Sequence, residues 1–188
     1  MEVITEYSER RETLIRKLKN QSLTLIYAGV PKIATADDEY PFVVNRNFFY
    51  LTGISQANSV LFIVKGNEGP KTYLFVDEYD ELKEKWTGKR LTLDEARTLS
   101  GVQDIMLTKN LGTKIDEALR ESGQFGAIKT LYLDLEKELK ISMGFTTKDL
   151  SNQLGARYPQ LEILDVFDFL MRQRMIKKKT KEGAYQKD

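Results

Sequence analysis

Ser59-Val60-Leu61-Phe62-Ile63-Val64-Lys65, then Gly66-Asn67-Glu68-Gly69-Pro70, then Lys71-Thr72-Tyr73-Leu74-Phe75-Val76 is the stretch from which the fold can be read. Residues 59–65 and 72–76 are two β-branched and aromatic runs. The cluster between them holds two glycines, an asparagine and a proline, which is turn chemistry between strands. The spacing predicts a hairpin, hence an antiparallel pair. On both sides of it, short apolar runs alternate with helical patterns. An antiparallel pair inside such an alternation predicts a mixed sheet, not a purely parallel one.

Residues 3–19 place Ile4, Tyr7, Leu14, Ile15 and Leu18 near one face of an amphipathic helix. Leu23-Thr24-Leu25-Ile26-Tyr27-Ala28-Gly29 is a nearly continuous apolar run ending in Gly-Val-Pro, the pattern of a buried strand. Phe48-Phe49-Tyr50-Leu51-Thr52-Gly53 is aromatic and reads as β-prone. Beyond the hairpin, Asp77 is placed to cap a short helix through Trp86, closed by Gly88. Thr92 and Glu95 form a capping box for a helix stopping at Gly101. Strands are expected over 104–108, 130–134 and 161–164. Helices are expected over 113–122 (with Ile115, Ala118 and Leu119 inward and Gly123 as the stop), from Thr146 to Tyr158-Pro159, and from Asp165 onward. The expectation is one α/β domain of three layers, a mixed β-sheet flanked by helices. No internal repeat or dividing linker is visible.

The chain has 188 residues, no cysteine and no histidine. At this length a single core buries roughly 70% of the surface the unfolded chain exposes, so no staple is needed. Zero cysteine removes disulfides, thiol nucleophiles and thiolate metal sites. Zero histidine removes the Ser-His-Asp triad, an imidazole base and an imidazole ligand. The net charge of +1 does not suit a dedicated nucleic-acid module. No apolar run reaches membrane-spanning length, and the acidic start Met1-Glu2-Val3-Ile4-Thr5-Glu6 is unlike a signal peptide, so a cytoplasmic protein without membrane or nucleic-acid partners is expected.

No catalytic constellation assembles. Residues 66–72 have the wrong glycine spacing for a phosphate loop and lead into a strand. Asp37-Asp38-Glu39 reads either as a solvated turn or as a site for a cation or an amino terminus. The acids Asp77, Glu78, Asp80, Glu81 and Glu84 suit the first turns of a helix. Trp86, the only tryptophan, lies in register with Tyr79 and Leu82, which fits either a packed stripe or a protruding interface anchor. The lysines at 177, 178, 179 and 181 suit an exposed helix end.

Asp37-Asp38-Glu39-Tyr40-Pro41-Phe42, followed by Asn45-Arg46-Asn47-Phe48-Phe49-Tyr50-Leu51-Thr52-Gly53, resembles the N-terminal, creatinase-like domain of aminopeptidase P and related Xaa-Pro peptidases (prolidases). Leu74-Phe75-Val76, Trp86-Thr87-Gly88-Lys89-Arg90 and Arg174-Met175-Ile176-Lys177 continue the resemblance in order, over about residues 10–178. It implies a ribonuclease H-like mixed sheet spanning residues 1–176. Residues 177–188 would begin a linker to a C-terminal "pita-bread" metallopeptidase domain. That further domain would supply two Asp, one His and two Glu for two divalent metals, usually manganese, and hydrolyse the bond before proline. No cofactor is expected in this chain itself.

The resemblance also implies a homodimer or tetramer, with its own catalytic domain and proline-containing peptides as partners. Trp86 would line a substrate site from a neighbouring subunit, and Asp37 (or its neighbour Asp38) would match a loop acid near the substrate's amino end. A stand-alone, catalytically inactive binding module and the N-terminal domain of a creatine-hydrolysing relative are the alternative readings.

Overall fold

The computed structural model describes residues 2–35, 38–78, 90–135, 139–142 and 144–176. Its centre is the hairpin. Strands β4 (Val60–Gly66) and β5 (Gly69–Val76) pair antiparallel, with Gly66 opposite Gly69 and Asn67-Glu68 turning between them. β5 starts at Gly69, earlier than residue 72, because Pro70 pairs opposite Lys65 outside the part of β5 that meets its other neighbour. Proline is tolerated where no second partner asks for its N–H.

β1 (Ser22–Tyr27) lies antiparallel to β4 on one edge and parallel to β7 (Thr130–Leu133) on the other. β10 (Glu162–Asp165) continues parallel beyond β7, and β6 (Asp104–Leu107) lies parallel to β5. The six-stranded order is β10-β7-β1-β4-β5-β6, mixed as expected. Two small hairpins add β2 (Ile33–Thr35) with β3 (Asp38–Glu39), and β8 (Lys140–Ser142) with β9 (Phe145–Thr146).

The strand period of two sends alternate side chains to opposite faces. Leu23, Leu25, Val60, Phe62, Val64, Phe75, Leu131 and Leu133 point to one face. There they meet Ile115, Ala118 and Leu119 of α4 (Leu111–Leu119) and Leu150 and Leu154 of α5 (Thr147–Arg157). Ile26, Leu61, Ile63, Leu74, Val76 and Tyr132 point to the other. That face is covered by α1 (Glu2–Lys17), α2 (Arg46–Thr52), α3 (Leu93–Ser100) and α6 (Phe167–Met175). Three layers result. Phe62 sits at the centre with its ring edge-on to Tyr73 at 5.7 Å.

The capping boxes are present at Thr92/Glu95 and Thr146/Asp149, and each opens the helix its sequence specifies. Two expectations fail. Residues 48–53 are not a strand but most of α2. Asn45 caps it by accepting from the Asn47 N–H at 2.8 Å, and Gly53 ends it at φ 69° with its N–H on the Phe49 carbonyl. The caps and the burial of Phe48 and Leu51 at i, i+3 outweigh aromatic β-propensity. The helix ending in Leu119 also stops before Gly123, with extended backbone already at Arg120.

Candidate functional site at the carboxyl end of the sheet

Strands β1, β5, β6 and β7 all finish at one end of the sheet, and the polar residues of the chain's distinctive motifs gather there. Open α/β sheets place ligands beyond such strand ends. The first cluster forms around Asp134, which follows β7 and is buried. Its Oδ2 accepts from Asn47 Nδ2 at 2.8 Å and Asn45 Nδ2 at 3.1 Å. Asn47, also buried, accepts from Arg174 at 2.9 Å. The network ties the segment before α2 to β7 and to α6.

Much of the rest of the Asn45–Gly53 motif is likewise used inside the fold. Thr52 Oγ1 donates to the Phe48 carbonyl and accepts from the Ile54 N–H. The Arg10 guanidinium lies 4.1 Å from the Tyr50 ring centroid and donates to the Tyr50 carbonyl. A side chain at Gly53 would overlap the Tyr7 ring. These residues hold elements together, whereas Arg46 and Phe49 of the same motif are exposed.

Asp134 supplies a direct test. Both amides donate to the same oxygen, so Asp134→Asn can keep both bonds and should cost under about 1 kcal/mol. Asp134→Leu strands two amide donors and should cost about 2 kcal/mol. Urea denaturation of the two variants measures the contrast, and equal losses would show that the hydrogen bonds are not what stabilises this corner.

The second cluster forms around Asp77, directly after β5. Its Oδ1 accepts from Thr108 Oγ1 at 2.6 Å, and its Oδ2 accepts from Asn58 Nδ2 at 2.9 Å and Arg90 at 3.1 Å. Asp77 was expected to cap a helix running to Trp86, and that stretch lies outside the described residues. What the structure assigns to Asp77 is a hub joining three loops. Its partners stand up to 31 positions away in the sequence, so no local pattern announces it. Arg90 is the final residue of the Trp86-Thr87-Gly88-Lys89-Arg90 motif. The Asp77–Arg90 ion pair therefore anchors both ends of the stretch that carries Trp86.

Beside Asp77 lies a cleft of about 410 Å³ whose lining includes Tyr27, Asn58, Thr108, Lys109, Leu111 and Ile141. Burial pushes the Tyr27 phenol well above its ordinary pKa, so it stays protonated. Both site residues expected from the sequence, Asp37 and Trp86, lie outside the described residues. Among the described residues no group of three or more acidic side chains is placed to hold a metal. The donor set for a two-metal centre is thus not found in them, and no hydrolytic step is derived from them.

Residues 7–125 match the family described as aminopeptidase P, N-terminal domain. An Xaa-Pro aminopeptidase of Haemophilus influenzae is 28% identical over 115 residues, covering 61% of this chain and 27% of that protein. Xaa-Pro aminopeptidase 3 of Dictyostelium discoideum is 35% identical over 98 residues, covering 52% of this chain and 19% of that protein. Among solved structures, a Bacillus anthracis chain assigned to aminopeptidase P superposes with a TM-score of 0.83 at 28% identity, over 93% of this chain and 41% of that one. Aminopeptidase P from E. coli shares the fold at a TM-score of 0.73 and 22% identity, over 93% of this chain and 39% of that one. This chain thus spans about a quarter or less of the length of the two sequence relatives and well under half of each solved chain. With the mixed sheet, the motif-borne helix and the matched residues in agreement, the chain belongs to the aminopeptidase P N-terminal domain family.

Proposed function

We propose that this chain is the non-catalytic N-terminal domain of a cytoplasmic Xaa-Pro metallopeptidase, covering residues 1–176 and followed by a linker from residue 177. In this reading it forms part of a homodimer or tetramer and shapes the entrance through which proline-containing peptides reach a catalytic domain. That other domain would hold two divalent metals, manganese in the family reading, which supply an activated water and stabilise the tetrahedral intermediate. The chain's own part is positional. The observation that supports it is the Asp77–Arg90 pair, which fixes both ends of the Trp86-bearing stretch at the carboxyl end of the sheet. Trp86 is then offered to a neighbouring subunit's substrate, and Asp37 is proposed for the substrate's amino end.

Trp86→Ala in the full enzyme tests this. We expect kcat/KM on an Xaa-Pro tripeptide to fall about tenfold or more, with Tm within about 2 °C of the parent. A fall in Tm with kcat/KM retained would mean that the indole is a packing residue. The 188-residue chain by itself, supplied with manganese, should release no amino acid from such peptides, and metal-dependent turnover would overturn the reading.

A further inference from the structure

The loop from α2 to β4, Ser55-Gln56-Ala57-Asn58, is one that the peptidase reading does not use. It hangs between two fixed points, because Ile54 before it and Ser59 after it are fully buried. The Asn58 N–H donates to the Gly29 carbonyl at 3.0 Å, and the Ser59 carbonyl accepts from the Ala28 N–H at 2.8 Å. These two bonds pin the loop to the chain just past β1.

Two side chains of this anchored loop bind the flanks of the stretch that carries Trp86. Asn58 Nδ2 donates to Asp77 Oδ2 at 2.9 Å, where the chain leaves β5. Gln56 Oε1 accepts from the Leu91 N–H at 2.8 Å, where the chain returns toward α3. Arg90 donates to the same Asp77 oxygen at 3.1 Å. Departure and return are therefore bonded to one loop as well as to each other. Asn58 holds φ 59°, one of two positive values among the described non-glycine residues. Asn tolerates that backbone better than most side chains do. In it, one residue joins Gly29 through its N–H and Asp77 through its amide. Tying both ends of a segment to a fixed support removes freedom from whatever the segment bears.

We propose that Gln56 and Asn58 are positioning residues for Trp86. From one anchored loop they hold the two flanks of its stretch, Asp77 and Leu91, in a single arrangement, and the indole is presented to substrate accordingly. The role toward substrate rests on the peptidase reading, whereas the hold on the flanks does not.

Three substitutions separate this hold from packing. Gln56→Met keeps the volume and loses the acceptor, Gln56→Glu keeps an acceptor, and Asn58→Gly keeps the left-handed backbone and loses the amide. Trp86 is the only tryptophan, so indole emission from the 188-residue chain reports on it alone. Its anisotropy should fall in Gln56→Met and Asn58→Gly and stay at the parent value in Gln56→Glu. In the full enzyme, Gln56→Met should lower kcat/KM on an Xaa-Pro tripeptide about three- to tenfold, the worth of one hydrogen bond. Combined with Trp86→Ala it should lower kcat/KM no further, because the residue it positions is gone. Unchanged anisotropy in both Gln56→Met and Asn58→Gly overturns the proposal, and so do additive losses with Trp86→Ala. Full kcat/KM in Trp86→Ala would overturn the peptidase reading and the substrate role with it, while the anisotropy still decides the hold on the flanks.

Discussion

Arg11→Met should lower stability by about 3–4 kcal/mol, a loss of two buried hydrogen bonds with little loss of side-chain volume. Arg11 is only 5% exposed, and its NH1 donates to the carbonyls of Leu51 at 2.7 Å and Ser100 at 2.9 Å. Those carbonyls lie in the last turns of α2 and α3, among the acceptors a helix cannot satisfy for itself. One guanidinium thus joins α1 to the negative ends of two other helices. Burial lowers its pKa to about 10, which leaves it charged at neutral pH. Methionine fills much of the same space and offers no donor, so both carbonyls stay dry and unpaired. Urea unfolding with an unchanged m-value would report the full loss. A loss below about 1 kcal/mol would mean that water reaches both carbonyls, and the three-helix junction would need another explanation.

Gly66→Val should cost about 3 kcal/mol, for a reason that has nothing to do with phosphate binding. A Cβ at Gly66 would stand 2.5 Å from the Phe125 carbonyl oxygen and 3.0 Å from the Phe125 Cα and Cβ. The obstacle is mainly backbone, held in place because the Asn67 N–H donates to that same carbonyl at 3.1 Å. Relief requires the hairpin to move away from the 123–126 turn, opening the core where Phe125 packs. Gly112→Ala is the companion measurement. A Cβ there meets nothing within 4 Å, and the residue is helical, so a gain of about 0.5–1 kcal/mol is expected. Similar losses at both positions would show that backbone freedom, and not close approach, explains Gly66.

The hairpin, the buried strand at residues 23–29, the Thr92/Glu95 capping box and the helix start at Thr146 could be read in the sequence because each is set by residues that adjoin in the chain. The helix at Arg46–Thr52 was misread because seven residues cannot display much periodicity, while three aromatics and a threonine look like a strand. Asn45 and Gly53 were the available signals, a cap at each end separated by a helix of two turns. The strands β2, β3, β8 and β9 have two or three residues each, too few to show an alternation. The carboxyl-end clusters had no local signature at all. Asp134 meets Asn47 across 87 positions, and Arg174 reaches Asn47 across 127. The family resemblance took in Asn45, Asn47, Arg90 and Arg174, which join these clusters, but did not name Asp77 or Asp134 as their hubs.

The order of the strands sets a timetable for folding. β1 finds its antiparallel neighbour β4 about forty residues later, but its parallel neighbour β7 only after more than about a hundred. During synthesis the β1–β4–β5 unit can form early, with one flank of β1 open until residues 130–133 are made. Gln173 must then return to the Arg10 carbonyl before α6 covers the second face. Such distant closure makes for slow folding, and it leaves a strand flank exposed to other nascent chains meanwhile. Yield should therefore respond more steeply to expression temperature and chaperone supply than the finished molecule's stability would suggest.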